Sequence, residues 1–377
     1  MKKFLFIVVM FTTFAWGCQK DNGGGNQPTP QEPSGTEKPE EPGIAKSLVT
    51  TGATTEAQAL YNYLREIYGQ KTLSAIMANV NWNHEEADKV YQATGKYPAI
   101  NCYDFIHILY SGANWINYSN LTPVTEWVDE GGIVSLMWHF NVPQSEKSGI
   151  DKVTCTPSET TFRARNVFTE GTWENKWFYE QMDKVAAVIL GLQMKGLAAL
   201  WRPFHEAAGN ATYKQKAAWT TSWFWWGYDG SEVYKKLWKT MFDYFKSKGI
   251  RNLIWIWTTQ NYNGNSAQYN LDSDWYPGDA YVDIVARDLY GYSAWQNRTE
   301  FTEIQHSYPN KMVTLGECGV DSNSGKAFSN VPDFWNAGAK WLYFMPWYGS
   351  SMPDSAWWKS AFNSNIVVDR ASLPSLK

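Results

Sequence analysis

The sequence lacks the features that mark several large classes of protein. Its formal net charge is −4, so it has no excess of basic residues with which to neutralise a nucleic-acid backbone. Neither common form of glycine-rich phosphate loop occurs, which argues against a nucleotide cofactor. Its 5 histidines are scattered and no Cys-x-x-Cys or His-x-x-x-His spacing occurs, so we expect no metal site and no cofactor.

Cysteine is also scarce, with 4 residues in the whole chain. Cys102 and Cys155 would be able to pair in an oxidising compartment, but the sequence does not tell whether they meet in space. Aromatic residues, in contrast, are abundant: they make up 16% of the chain, with 22 tryptophans and 22 tyrosines. Many of these rings belong in a core. The excess nevertheless suggests flat rings offered to an extended ligand such as a polysaccharide.

The first residues predict export. Lys2 and Lys3 precede an apolar run, residues 4–15, that is too short to span a bilayer, and small residues then lead to Cys18. This pattern resembles a bacterial lipoprotein signal peptide, residues 1–17, with Cys18 as the lipidated residue. Ordinary secretion with an incidental Cys18 is the alternative. We expect a lipid-anchored envelope protein, on the periplasmic side or at the cell surface, whose only contact with a membrane is that anchor.

Residues 18–45 are rich in Gly, Pro and Glu and contain too little apolar surface for a core, so we expect a flexible tether. Residues 46–377 then form the predicted catalytic domain. In it, eight apolar, β-branched runs alternate with amphipathic helical segments, which are clearest at 174–195 and 231–248. The runs are 72–77, 98–105, 132–140, 196–206, 252–260, 281–291, 311–319 and 339–349. This alternation predicts the α/β class and a closed parallel (β/α)8 TIM barrel.

Active sites in such barrels lie at the carboxyl ends of the strands. Nearly every predicted strand ends here in an acid, a histidine or an aromatic residue: Asp104, His139, His205 with Glu206, Trp257, Asp288 with Tyr290, Glu317, and Trp347. The interiors of the strands are nearly free of charge. We therefore expect these side chains to line one cleft.

Two of these residues, Glu206 and Glu317, end strands that face each other across the barrel. Hydrolysis of a glycosidic bond needs one protonated and one ionised carboxyl group, and a retaining enzyme holds the two about 5–5.5 Å apart. Arg202 lies four residues before Glu206, so strand alternation predicts that both point into the barrel mouth. Gly316 and Gly319 flank Glu317, where small residues would let a substrate approach closely. Each glutamate alone is equally well explained as a surface acid.

Five segments, in this order, resemble glycoside hydrolase family 26, which consists chiefly of retaining endo-β-1,4-mannanases on a (β/α)8 barrel: "WRPFHEAAGN", "WFWWG", "NLIWIWTTQ", "DWYPGDAYVDIVARDLYG" and "TLGECG". The resemblance runs from about residue 55 to 362. It implies Glu206 as general acid/base and Glu317 as nucleophile. It also implies that substrate-binding residues include His139, His205, Trp223, Asp288, Tyr290 and Trp347, to which the barrel argument adds Arg202 and Asp104.

Some of these positions have a structural alternative. His139 and His205 would serve equally as core histidines, and Trp347 as a core tryptophan; Trp225 and Trp226 are expected to pack in the interior. The loop between Glu206 and Trp223 is longer than is typical of the family, which would reshape the cleft.

We therefore expect a monomeric hydrolase that cleaves mannan, galactomannan or glucomannan by double displacement. A β-1,3-xylanase or mixed-linkage β-glucanase on the same barrel is the nearest alternative. A lipoprotein that binds surface glycans without cleaving them is another, although a pure binder would not need two opposed carboxylates. A metallohydrolase is a third.

Overall fold

The computed structural model of the chain describes residues 43–111, 116–210, 222–261 and 271–376. Cys18, the signal peptide and nearly all of the tether lie outside the described residues, as does much of the long loop between Glu206 and Trp223. The predicted boundary between tether and catalytic domain stays a prediction.

Eight parallel strands form a closed barrel, and each lies within one of the eight predicted runs. Neighbours along the chain pair in order, and the eighth strand pairs with the first through Leu73 opposite Tyr343 and Ser74 opposite Phe344. The prediction of a (β/α)8 barrel is confirmed. The strands are β1 (Thr72–Met77), β2 (Ile100–Asp104), β3 (Ile133–Trp138), β4 (Ala199–Pro203), β5 (Leu253–Thr259), β6 (Ile284–Tyr290), β7 (Met312–Gly319) and β8 (Tyr343–Pro346).

Helices precede and connect these strands. They are α1 (Thr55–Ile67), α2 (Glu85–Thr94), α3 (Thr122–Asp129), α4 (Trp173–Met194), α5 (Trp225–Tyr228), α6 (Ser231–Ser247), α7 (Ala294–Ser307), α8 (Val331–Ala337) and α9 (Ser355–Phe362). Side chains cap several amino ends: Thr172 accepts from Asn175 N, and Ser293 forms a capping box with Gln296. The two helices predicted most clearly, α4 and α6, lie within one residue of their predicted bounds.

Short elements complete the fold. Val142–Pro143 and Val153–Thr154 form a small antiparallel ribbon, and Val367–Val368 pairs with β1. Single turns of 3-10 helix lie at Ile108–Tyr110, Pro157–Glu159, Ala164–Phe168, Ser273–Trp275, Asp279–Tyr281, Gly349–Ser351 and Arg370–Ser372.

Strand alternation divides the apolar side chains into two cores. One fills the barrel interior with residues such as Met77, Ile256 and Ala286. The other lies between the barrel and its helices and contains most of the tryptophans. Within the described residues, no helix is both long and apolar enough to cross a bilayer. Cys102, Cys155 and Cys318 carry free thiols, so the first two do not form a disulfide bond in this structure.

Candidate active site

Arg202, near the end of β4, forms the floor of the barrel mouth. It is 1% exposed. Its Nη1 lies 2.9 Å from Asp288 Oδ2 on β6 and 3.0 Å from Thr258 Oγ1 on β5. Its Nη2 donates to Glu317 Oε1 on β7. One buried guanidinium thus joins four consecutive strands and compensates two carboxylates, as the fork geometry of arginine allows.

Glu317 is held from two sides. Tyr290 Oη donates to its Oε2 at 2.6 Å, while Arg202 donates to Oε1. In the pairing of β6 with β7, Asp288 lies opposite Glu317, but Arg287 lies opposite Leu315, so Gly316 is one extra residue on β7. Such bulges re-aim side chains and are frequent beside active sites.

Gly316 makes this arrangement possible. A Cβ at this position would lie 2.7 Å from Asp288 Oδ1 and 3.2 Å from Arg202 Nη1. A Cβ at Gly319 would lie 2.2 Å from Ser351 O. The prediction that these glycines make room for a substrate is wrong for this structure, because both make room for the protein's own atoms.

Glu206 reaches the cleft from a turn and not from a strand. β4 ends at Pro203, three residues earlier than predicted, so strand alternation does not orient Glu206. Phe204 and Glu206 instead have positive φ values of +47° and +50°. Each such conformation costs about 1–3 kcal/mol in a non-glycine residue and persists only where the surroundings fix it. This strained backbone conformation places the carboxyl group of Glu206 close to Asp288 and Glu317.

The carboxyl groups meet closely. Oxygen atoms of Glu206, Asp288 and Glu317 lie within 4.8 Å of one another. An inverting glycosidase leaves about 6.5–9.5 Å between its two carboxyl groups to admit a water molecule, whereas a retaining enzyme needs about 5–5.5 Å. The separation of Glu206 and Glu317 therefore suits direct attack by a carboxylate on a sugar carbon.

The two glutamates have different electrostatic surroundings. Burial, and then the charges of Asp288 and Glu317, raise the pKa of Glu206 well above its ordinary value. Burial also raises the pKa of Asp288 to about 7, although Arg202 opposes the shift. Glu206 and Asp288 share a hydrogen bond, which requires a proton between them. Glu317, in contrast, accepts two hydrogen bonds, one from Arg202 and one from Tyr290. Glu206 is thus suited to donate a proton, while Glu317 is held as a hydrogen-bond acceptor.

Three such carboxyl groups would also suit a cation as ligands. Arg202 already pairs with two of them, however, namely Asp288 and Glu317. The shared proton lowers the negative charge of the cluster further. Groups of the protein itself therefore compensate part of the charge of these three carboxyl groups.

Two histidines lie beside Glu317. His139 Nδ1 lies 2.5 Å from Asp104 Oδ2, and burial, which alone would lower the pKa of His139, is outweighed by this carboxylate, so the pKa is raised. Asp104 also accepts from the backbone N of His139 and of Ile106 and is fully buried. It therefore orients His139 from behind. His205 Nε2 lies 3.9 Å from Glu317 Oε1, and burial lowers the pKa of His205 well below its ordinary value, so it is neutral.

Aromatic rings border the carboxylates. Trp223 is 39% exposed, in contrast to most tryptophans of this chain. It lines a cavity of about 410 Å³ together with Glu206 and Asp288. Trp347 is half-buried, and its ring centre lies 5.8 Å from that of His139. Trp225 and Trp226 are fully buried, as predicted.

Trp257 does not reach the cleft, although the sequence placed it at a strand end. It is 1% exposed and packs 5.1 Å from Tyr276, between the barrel and its helices. Its neighbour Thr258 points inward to Arg202 instead. Because side chains alternate along a strand, an error of one residue exchanges the interior for the exterior.

The cavity beside Glu206 has further lining residues that the sequence pattern did not predict. Gln260, Asn261 and Tyr292 line it, and the first two follow the end of β5 directly. Gln260 is already the last residue of the predicted run 252–260, but Trp257 was assigned to the cleft in its place. A second cavity, of about 560 Å³, is lined by Tyr348, Asn79 and Glu86 and does not include the two glutamates.

Comparison with known proteins agrees with this geometry. A mannan endo-1,4-β-mannosidase of Thermothelomyces thermophilus is 31% identical over 331 residues, covering 84% of this chain and 60% of that protein. The chain spans between 51% and 60% of the length of the first three curated relatives that it matches.

Two solved structures are similar throughout the barrel. The family 26 domain of an endo-β-mannanase/endo-β-glucanase from Prevotella bryantii has a TM-score of 0.84 and 58% identity, covering 87% of this chain and 99% of that domain. A β-mannanase from a symbiotic protist of the termite Reticulitermes speratus, solved with a gluco-manno-oligosaccharide, has a TM-score of 0.70 and 30% identity, covering 88% and 99%. The sequence profile described as glycosyl hydrolase family 26 matches residues 49–368, and the chain belongs to that family.

Proposed function

We propose that this protein is a retaining endo-β-1,4-mannanase acting on mannan, galactomannan or glucomannan. The observation that carries the proposal is the approach of carboxyl oxygens of Glu206 and Glu317 to within 4.8 Å, with Glu317 held as a hydrogen-bond acceptor by Arg202 and Tyr290. The choice of mannan is supported by two relatives of the chain, which are mannan endo-1,4-β-mannosidases.

The reaction follows in two displacements. Glu317 attacks the anomeric carbon while Glu206 gives its proton to the departing glycosidic oxygen, which leaves a sugar esterified to Glu317. Glu206, now ionised, then takes a proton from a water molecule, and that water displaces Glu317 from the same carbon. Two inversions give net retention. The proton that the first step consumes is restored by the second.

The surrounding residues serve these steps. Tyr290 and Arg202 hold Glu317 in position. Burial, and then the charges of Asp288 and Glu317, raise the pKa of Glu206 and so favour its protonated form. His139, supported by Asp104, and His205 lie where the sugar at the cleavage point would bind. Trp223 borders the cavity beside the proton donor, so it would stack on the departing part of the chain, while Trp347 would support the sugar that is esterified.

Hydrolysis of mannohexaose tests the proposal. The wild-type protein should cleave internal bonds, and proton NMR should detect the β-anomer of the new reducing end first. Glu317→Ala should lower kcat by at least ~10⁴-fold, in the range seen when a covalent nucleophile is removed, yet still bind the oligosaccharide. Glu303→Ala, on the outer helix α7, is the matched control.

The alternatives give different outcomes in the same assay. Faster cleavage of β-1,3-xylan or mixed-linkage β-glucan than of galactomannan would keep the mechanism and change the substrate. Binding without cleavage by the wild-type protein would indicate a glycan-binding lipoprotein. Loss of activity in EDTA would indicate a metallohydrolase.

We also propose that the mature protein is a monomer held at the bacterial envelope by lipid on Cys18. The support is the order of a basic segment, an apolar run and Cys18, followed by a tether rich in Gly and Pro. Expression with a labelled fatty acid should label the wild-type protein and not Cys18→Ala, which should leave the membrane fraction. Cys155→Ala is the control. Light scattering tests the monomer.

A further inference from the structure

The backbone turn that carries Glu206 is fixed by contacts along its whole length. From the helix side, Tyr234 Oη donates to Phe204 O at 3.1 Å, and Trp226 Nε1 donates to His205 O at 2.9 Å. Gly227 lies against the carbonyl of Ala207, since a Cβ at position 227 would be 1.9 Å from Ala207 O. Residues of α5 and α6 therefore hold one side of this turn, which contains two residues with positive φ.

The opposite side of this turn is held by Gln260, the residue that follows β5. Its Oε1 accepts from Gly209 N at 2.9 Å, and its Nε2 lies 3.3 Å from Gly209 O. Gly209 N also lies 3.1 Å from Glu206 O, so the same peptide group links Gln260 to the turn. Gln260 is 9% exposed. Both ends of its amide are therefore used on one residue, three positions after Glu206.

We propose that Gln260 is a positioning residue for the proton donor: its side-chain amide fixes Gly209 and thereby holds the carboxyl group of Glu206 toward the glycosidic oxygen. The inference rests on the proposed role of Glu206 as general acid. Gln260 transfers no proton and acts only through the backbone. It sets where Glu206 lies in relation to Asp288 and Glu317.

Loss of the Gln260 amide should affect the step in which Glu206 donates a proton and not the attack by Glu317. A displacement of about 1 Å in a reacting group can cost ~100-fold in rate, because proton transfer requires the donor within hydrogen-bond reach. A sugar alkoxide is a poor leaving group and needs this proton. A 2,4-dinitrophenolate leaves without one. Loss of the Gln260 amide should therefore slow formation of the glycosyl-enzyme from mannohexaose and leave the same step almost unchanged with 2,4-dinitrophenyl β-mannobioside.

Gln193 provides a matched control. Its Nε2 donates to Gly249 O at 3.0 Å and its Oε1 accepts from Arg251 N at 2.6 Å, so it makes the same pair of backbone hydrogen bonds. It does so at the opposite end of the barrel, between α4 and the start of β5. Replacing either glutamine by methionine keeps the length of the side chain and removes both bonds.

The experiment measures kcat/KM of Gln260→Met, Gln193→Met and wild type on both substrates. We expect Gln260→Met to lose ~10- to 100-fold on mannohexaose and less than ~3-fold on the dinitrophenyl substrate, whereas Gln193→Met keeps the wild-type ratio. The ratio is measured within one preparation, so partial unfolding lowers both values equally and does not change it. The alkaline limb of kcat/KM should also move to lower pH in Gln260→Met, because a displaced Glu206 leaves Asp288.

Two failures are distinguishable. Wild type that cleaves neither substrate would overturn the proposed function and with it this inference. Wild type that cleaves both, with an unchanged substrate ratio in Gln260→Met, would overturn the role of Gln260 alone.

Discussion

The hydroxyl group of Tyr290 lies 2.6 Å from Oε2 of Glu317 and donates a hydrogen bond to it. Tyr290 is the last residue of β6, and Glu317 lies on the adjacent strand β7. Burial and the charge of Glu317 raise the pKa of Tyr290 well above its ordinary value, so the phenol stays protonated and remains a donor at neutral pH. This bond fixes one carboxylate oxygen while Arg202 fixes the other.

Tyr290→Phe should therefore lower kcat on mannohexaose by ~10- to 100-fold with little change in KM. A hydrogen bond to a charged group contributes about 1.5–3 kcal/mol, and here it orients the attacking carboxylate. Steady-state kinetics measures the effect. Tyr276→Phe is the control, because it removes a 2.7 Å bond to Asp279 before β6, at the other end of the barrel. An unchanged kcat in Tyr290→Phe would show that Arg202 alone positions Glu317.

Asp288 contributes to the protonation of Glu206. Burial raises the pKa of Glu206, and the charge of Asp288 raises it further, so activity should fall as pH rises through that raised value and the donor loses its proton. Asp288→Asn removes this charge, lowers the pKa of Glu206 and should move the alkaline limb of kcat/KM to lower pH. The pH profile on mannohexaose is the measurement, with Asp279→Asn as control. A limb that stays in place would mean that burial and the charge of Glu317 raise the pKa of Glu206 without a contribution from Asp288.

The barrel was predictable because its signal is periodic. Eight apolar runs at regular intervals leave few topologies, and an error of two or three residues at a strand end does not alter them. Glu317 could be assigned to the barrel mouth for the same reason, since it lies within β7.

The details of the site depend on local departures from that period. Glu206 points into the cleft through two residues with positive φ, and Glu317 faces Asp288 through an extra residue at Gly316. Neither departure follows from hydrophobic patterning. Trp257 is an example of the resulting error. It was assigned to the cleft but lies outside the barrel, one position away in the strand alternation. The role of Gln260 could not be predicted from the sequence, because it depends on contacts with Gly209, which is far from Gln260 along the chain.

Gly316→Ala tests the bulge. The new Cβ would lie 2.7 Å from Asp288 Oδ1, so Asp288 or the strand must shift. We expect the free energy of unfolding to fall by about 1–3 kcal/mol and kcat/KM to fall with it. Urea denaturation and kinetics on mannohexaose measure both.

The control for this variant is Gly191→Ala in α4. A Cβ there meets only the end of the Leu121 side chain, at 3.0 Å, and alanine favours the helix over glycine. This change should leave activity intact. Full activity in Gly316→Ala would show that β7 tolerates a side chain at the bulge and that the close approach to Asp288 does not matter for catalysis.

Arg202→Met tests the floor of the site. It leaves Asp288 and Glu317 buried without their cation, which should reduce the free energy of unfolding by about 3–5 kcal/mol at neutral pH. Burial already raises the pKa of Asp288 to about 7, and loss of the guanidinium, which opposes this shift, should raise it further above the value in the unfolded chain. The folded state then binds more protons than the unfolded chain, so the free energy of unfolding falls as pH rises from the unfolded pKa of Asp288 to its raised folded value.

The decrease in the free energy of unfolding caused by Arg202→Met should accordingly be larger at pH 8 than at pH 5. Urea denaturation at the two pH values measures this decrease. Lys248→Met, which removes an exposed ion pair with Asp183, should show little change at either pH. An equal loss at both pH values in Arg202→Met would mean that packing of the long side chain, and not compensation of the two acids, is what Arg202 contributes to the fold.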